Sequence, residues 1–209
     1  MKKILFVLLV FSIVFASCKK KGCMDTFANN YDSKATQDDG SCEFPLQKGD
    51  SLQGGIVFYL DGNGGGLIAA PIDQSAGAEW GCFGTLITGA DGTTIGTGNQ
   101  NTTDIEAGCT AAGTAADICA NLTLGGYSDW FLPSKDALNL MWTNLADSDG
   151  DGNNTGPSDP SNVGGFMYAN YWSCTEGDSY VAWGQSFSDG AQTNGSKASS
   201  IYVRAIRAF

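Results

Sequence analysis

No histidine occurs in the 209 residues. That absence removes the Ser-His-Asp and Cys-His arrangements of nucleophilic catalysis, and every histidine-ligated zinc or iron site with them. Positive charge is also scarce: 11 Lys and Arg stand against 22 Asp and Glu, a formal net charge of −11. From residue 48 onward the only cations are Lys48, Lys135, Lys197, Arg204 and Arg207. So acidic a chain repels nucleic acid and other polyanions, and this weighs against sulfated glycans as ligands. The acids do not group as a hydrolase requires, since Glu79, Glu106 and Glu176 show no spacing recognisable as a paired acid and base. The expectation is a protein that binds and does not catalyse, with no nucleic-acid partner.

The longest apolar run, Ile4 to Phe15 interrupted only by Ser12, is too short to span a bilayer stably. With Lys2 and Lys3 ahead of it, it reads as a secretion leader over residues 1–17. Phe15-Ala16-Ser17-Cys18 resembles a bacterial lipobox, with phenylalanine where leucine is more usual. Cys18 is then the lipidated mature N-terminus, the alternative being ordinary cleavage that leaves it a free thiol. The lipid would hold the protein at the cell envelope, as an outer-membrane lipoprotein facing the periplasm or the exterior, without crossing the bilayer.

Residues 18–47 form a tether around a small module in which Cys23 and Cys42 are expected to pair, because export implies an oxidising compartment. Asp25, Asp38 and Asp39 in this module read either as calcium ligands or as solvated turn residues. Residues 48–209 form the main domain, organised around GGYSDWFLPSKDALNLMWTNL, Gly125 to Leu145. Leu138, Met141, Trp142 and Leu145 recur at helical spacing, Ser134 stands at the N-cap, and Asp136 complements the helix dipole. Trp130 to Leu132 reads as a strand end, closed by Pro133. Gly54–Leu60 and Leu67–Pro71 read as a hairpin around a glycine-rich turn, and Thr102–Gly108 and Thr114–Leu122 as helices. Residues 165–168, 171–175, 180–188 and 201–209 are expected as strands, so the second half is a sheet and the class is α+β.

Chemistry concentrates in two places. Ala146–Val163 is a polar insertion in which Asp147, Asp149, Asp151 and Asn153 alternate around Gly152, a pattern that suits a hard, oxygen-seeking cation such as Ca2+. It resembles the start of an EF-hand loop, but Ser158 stands where the bidentate glutamate belongs and Asp159 comes one place late. The alternative is a disordered acidic loop. The second place is the late sheet, where Trp183 and Gln185 share a face near Glu176 and Asp178. An aromatic ring for a sugar's C–H face with acids and amides for its hydroxyls makes this a candidate ligand surface. Trp172 reads as core. Arg204 and Arg207 read as structural ion-pair partners. Cys82, Cys109, Cys119 and Cys174 allow three pairings that spacing does not choose among; Cys174 pairs with Cys82 or Cys119, or stays free.

DWFLPSKDALNLMWTNL, then GGF, YWSCTE, AWGQSFSDG and the closing VRAIRAF, resemble the C-terminal domain family of the Legionella collagen-like proteins, related to the Fibrobacter major paralogous domain. GGIVFYLDGNGGGLIAA and IGTGNQNT fit the same pattern, and the resemblance runs from about Gly49 to Phe209. The stretch GC-x-D through DDGSC is similar to a short module of secreted Bacteroidetes proteins. The resemblance implies an α+β domain similar to C-type lectins and the formylglycine-generating enzyme, with two main helices and a mostly antiparallel sheet. It also implies adhesion, by binding a glycan or a surface protein; the alternative is a structural component of the cell surface without a small ligand. Neither the EPN nor the WND tripeptide of calcium lectins occurs, and no cysteine motif matches the formylglycine-generating relatives. Neither chemistry therefore carries over.

Overall fold

A computed structural model describes residues 19–209, so the leader and Cys18 lie outside the described residues. The chain divides into two compact units between Leu46 and Gln47. In the first unit, β1 (Lys21–Gly22) and β2 (Gln37–Asp38) pair in parallel, and a disulfide joins Cys23 to Cys42. So little apolar surface is buried here, chiefly Cys23 and Ala28, that a covalent staple is needed to hold the loop. The three acids read as calcium ligands or turn residues serve turns: Asp25 accepts from the Phe27 N–H, Asp38 from Gly40, and Asp39 from the amide and hydroxyl of Ser41.

The second unit runs through β3 (Ser51–Leu52), β4 (Gly55–Leu60), β5 (Gly66–Ala69), β6 (Ser75–Ala78), α1 (Gly98–Gly108), α2 (Ala115–Ala120) and α3 (Lys135–Met141). A π-helical turn, Trp142–Ala146, extends α3. Then come β7 (Asn170–Glu176), β8 (Val181–Ser186), β9 (Gln192–Ser196), β10 (Ile201–Val203) and β11 (Ile206–Ala208). Two sheets result, in the orders β6-β10-β7-β8-β9 and β11-β5-β4-β3, antiparallel except where β10 runs parallel to β7. The unit is α+β, with three helices among the described residues, the three that residue patterning marks, where the resemblance implied two main ones.

Local chemistry fixes the helix starts. The Ser134 hydroxyl accepts from the Ala137 N–H at 3.3 Å, and Thr114 accepts from Asp117 at 3.3 Å while Asp117 accepts from Gly113. Such caps contribute about 1 kcal/mol each. The apolar stripe of α3 and the π-turn packs Leu138, Met141, Trp142 and Leu145 against Phe58, Phe166, Tyr171 and Phe187, one core shared by both sheets. Gly190, between β8 and β9, has φ of 74° and lies so close to the Trp142 indole that a Cβ there would collide with it.

Several expected elements differ. Helix α1 begins at Gly98, ahead of Thr102, because a glycine there lets the chain close onto Phe131 and the Leu132 carbonyl. The strand end at Trp130–Leu132 reduces to one bridge, Phe131 with Ile206. Residues 165–168 form no strand, since Asn162 holds both the N–H and the carbonyl of Phe166. The closing run splits at Arg204 and Ala205, because the Arg204 side chain turns into the core. Strand β9, QTNGS, was not anticipated; as an edge strand it needs no apolar alternation.

Candidate functional site

The polar insertion is a folded loop, not a disordered one. Asn154 is fully buried; its amide donates to the Phe187 carbonyl at 2.8 Å, and its oxygen accepts from Gly156 and from Asn162. Asn162 also donates to the carbonyls of Gly156 and Phe166. The π-turn delivers Asp147 into this frame: its N–H bonds the Trp142 carbonyl at 2.9 Å, and both its carboxylate oxygens accept from Gly152 at 3.2 Å. Asp147, Asp149 and Asp151 each place an oxygen within 4.8 Å of the others, so the three could hold a single cation. Burial pushes the Asp147 carboxyl up and the Gly152 N–H partly offsets it, while Asp151 and Asp149 push it further up. A cation would relieve that repulsion. Asn153 is exposed and donates its N–H to Asp151. Asp159 does not fill the missing ligand position. Its oxygens are taken by the amides and hydroxyls of Thr155 and Ser161, which lower its pKa to about 2.

The late-sheet residues separate. Glu176 is only 6% exposed; it pairs with the buried Lys197 and accepts from the Ile87 N–H, so it leaves the candidate surface. Gln185, 1% exposed, is a strut that donates to Asn139 and to the Gly190 carbonyl and accepts from Gln192. Trp183 is half-buried, and one face of its ring is covered by the Lys135 ammonium, 3.4 Å from the centroid. Asp178 is exposed, and one carboxylate oxygen accepts from the N–H groups of Tyr180 and Val181, closing the turn before β8. Trp172 is fully buried, with its indole N–H on the Ala78 carbonyl. Cys82 and Cys109 are bonded, while Cys119 and Cys174 are buried thiols, both pushed up in pKa first by burial, which keeps them protonated.

Beside Asp178 lies a surface that sequence reasoning missed. Phe83, Leu86 and Tyr180 are 55%, 65% and 54% exposed, and the Phe83 and Tyr180 rings meet edge-on with centroids 5.2 Å apart. The loop carrying them is firmly held. Cys82 has φ of 46°, a left-handed conformation uncommon for a side-chain-bearing residue, and is tied to the end of α1 by its disulfide. Gly84 donates to the Ser179 carbonyl, the Thr85 carbonyl accepts from Lys197, and Glu176 holds the Ile87 N–H. No periodicity marks these residues, because large apolar side chains in a loop read by default as core. Cysteine spacing would have flagged the loop only if the Cys82–Cys109 pairing had been known.

A protein-family model described as the Lcl C-terminal domain matches residues 72–207, more than half of the chain. No curated protein matches it.

Proposed function

The chain belongs to the Lcl C-terminal domain family, and from that we propose that it is an envelope adhesion module engaging a glycan or a surface protein. The observation that carries this reading is the exposed Phe83–Tyr180 pair on a firmly held loop that also exposes Leu86. Apolar patches held rigid at the surface of a soluble domain are characteristic of interaction sites, and pre-organisation lowers the entropy cost of binding. The charge of −11 favours a neutral or cationic ligand. The finer fold in this reading is C-type-lectin-like, and the chain is held at the outer membrane by lipid on Cys18. It catalyses no reaction.

A glycan array, run with calcium and again with chelator, tests the proposal. Saturable retention is expected, weakened about 30-fold by Phe83→Ala or Tyr180→Ala, the loss typical of an interface hot spot. Trp183→Ala, whose ring already carries Lys135, should have a much smaller effect. Retention unchanged in a Phe83→Ala/Tyr180→Ala double variant would remove this pair from the reading. The unpaired edge of β9, which carries neither Lys nor Pro, favours the alternative of a structural surface component. In that case the array stays blank and the protein co-purifies with envelope partners.

We assign Ca2+ to Asp147, Asp149 and Asp151, with the role of ordering the insertion. Saturating calcium should raise the thermal midpoint; at a hundredfold excess over Kd the stabilisation is about 2.7 kcal/mol. Calorimetry with calcium and with chelator measures this, and Asp149→Asn/Asp151→Asn should abolish the shift. Identical midpoints in the wild-type chain would dismiss the assignment.

A further inference from the structure

The five-stranded sheet has two different faces between β7 and β9. Trp183 and Gln185 lie opposite Asn194 and Gln192, on the face braced by Lys135 and Asn139 of α3. Gly184 lies opposite both Trp172 and Thr193, so these three share the other face. On that other face is a cleft of about 130 Å³. The backbone of Gly184 and Gly195 lies over the fully buried Trp172 at its base, and Ile201 is its apolar wall. Two glycines hold it open. A methyl at Gly195 would come 3.1 Å from Trp172 Cη2, and one at Gly184 would come 3.7 Å from Trp172 Cε3 and 3.6 Å from Ile201 Cδ1.

The rim is polar and unoccupied by the protein itself. Among the hydrogen bonds of the described residues, none uses the side chain of Asn170, Thr193 or Ser199, all of which line the cleft. Ser173, Gln185, Ser186 and Gln192 of the same sheet each have a side-chain bond. An amide and two hydroxyls both donate and accept, as sugar hydroxyls do, and Ile201 offers an apolar contact to a ring's C–H groups. No lining residue is ionisable. At about 130 Å³ the cleft is too small for a buried chain of rings.

We infer that this cleft is a binding site for a single neutral sugar ring. The inference goes beyond the adhesion reading, because the cleft and the Phe83–Tyr180 platform share no residue and fail separately. Amide chemical shifts of the isotope-labelled chain are followed while methyl glycosides of glucose, galactose, mannose and N-acetylglucosamine are added, with glucuronate and glucosamine as charged comparisons. At least one neutral glycoside shifts the amides of Asn170, Thr193 and Ser199. Thr193→Trp, on an exposed edge strand, fills the cleft and weakens that binding at least about tenfold, and Asn170→Ala weakens it about fivefold, one hydrogen bond's worth. Phe83→Ala leaves it unchanged. The inference is overturned if no neutral glycoside moves these amides, if Thr193→Trp binds as the wild type does, or if glucuronate binds as well as the neutral sugars. A positive array whose binding survives Thr193→Trp would leave the platform standing while the cleft falls.

Discussion

Arg204→Ala lowers the free energy of unfolding by about 3–5 kcal/mol in a denaturant titration at neutral pH. The side chain is 1% exposed. Its Nε donates to Asp73 at 2.7 Å, Nη1 to the carbonyls of Ala70 and Gly164 at 2.9 Å each, and Nη2 to that of Gly165 at 3.4 Å. The guanidinium also lies 4.2 Å from the centre of the Phe166 ring. One residue thus ties the end of β5 to the exit of the polar insertion. Truncation leaves three carbonyls without this donor and the largely buried Asp73 carboxylate with the Tyr171 hydroxyl but no countercharge, and an unpaired buried group costs more than the pair contributed. Arg204→Lys recovers little, since an ammonium cannot reproduce a planar fork aimed at four acceptors. A loss below about 1 kcal/mol for Arg204→Ala would show that water or a relaxed backbone satisfies these groups instead.

Lys197→Ala is expected to cost a similar amount, about 3–5 kcal/mol, for a different reason. Lys197 and Glu176 are among the most enclosed charges of the described residues, with side chains 0% and 3% exposed, and Trp80 lies under the ammonium at 4.5 Å. Removing the cation strands the carboxylate. Replacing both charges, as Lys197→Met/Glu176→Leu, should cost less than Lys197→Ala alone, because the desolvation of two ions disappears with them. The double variant still loses the acceptors for Ile87 and the donor for Thr85, so full recovery is not expected. If the double variant is no more stable than Lys197→Ala, the stranded carboxylate is not what the single variant loses. Glycan retention in the double variant also reports how far the Phe83 loop depends on these anchors.

The parts of this fold that local sequence dictates were legible. Ser134 and Thr114 cap as their residue types suggest, the Leu138–Leu145 stripe is core, and the hairpin forms around Gly62–Gly65. Arg204 and Arg207 were readable as structural ion-pair partners because the domain has few cations; Arg204 meets the largely buried Asp73 and Arg207 the exposed Asp129. What depends on distant partners was not legible. Nothing in YWSCTE says that Glu176 meets Lys197, nor in AWGQS that Gln185 braces Asn139. The candidate ligand surface failed on this point, since a half-polar strand looks the same whether its amides meet water or a helix. The platform was hidden for the opposite reason: composition assigns Phe83 and Tyr180 to the interior, and only the strained, disulfide-held loop keeps them outside. The acidic repeat was visible, but its burial at Asp147 depends on the π-turn, which no residue pattern announces.

The closing strand has one more consequence. β11 completes the sheet edge beside β5, and Arg204 reaches Ala70 across 134 residues of chain. While the chain is being made, β4 and β5 emerge early and must wait with an open edge and an unpaired Asp73 until residues 204–208 appear. Bringing such distant segments together is slow, and exposed edges are where nascent chains associate wrongly. The order of synthesis and the order of folding are therefore opposed in this domain. The four-stranded sheet of the main domain closes only when the last strand has been made.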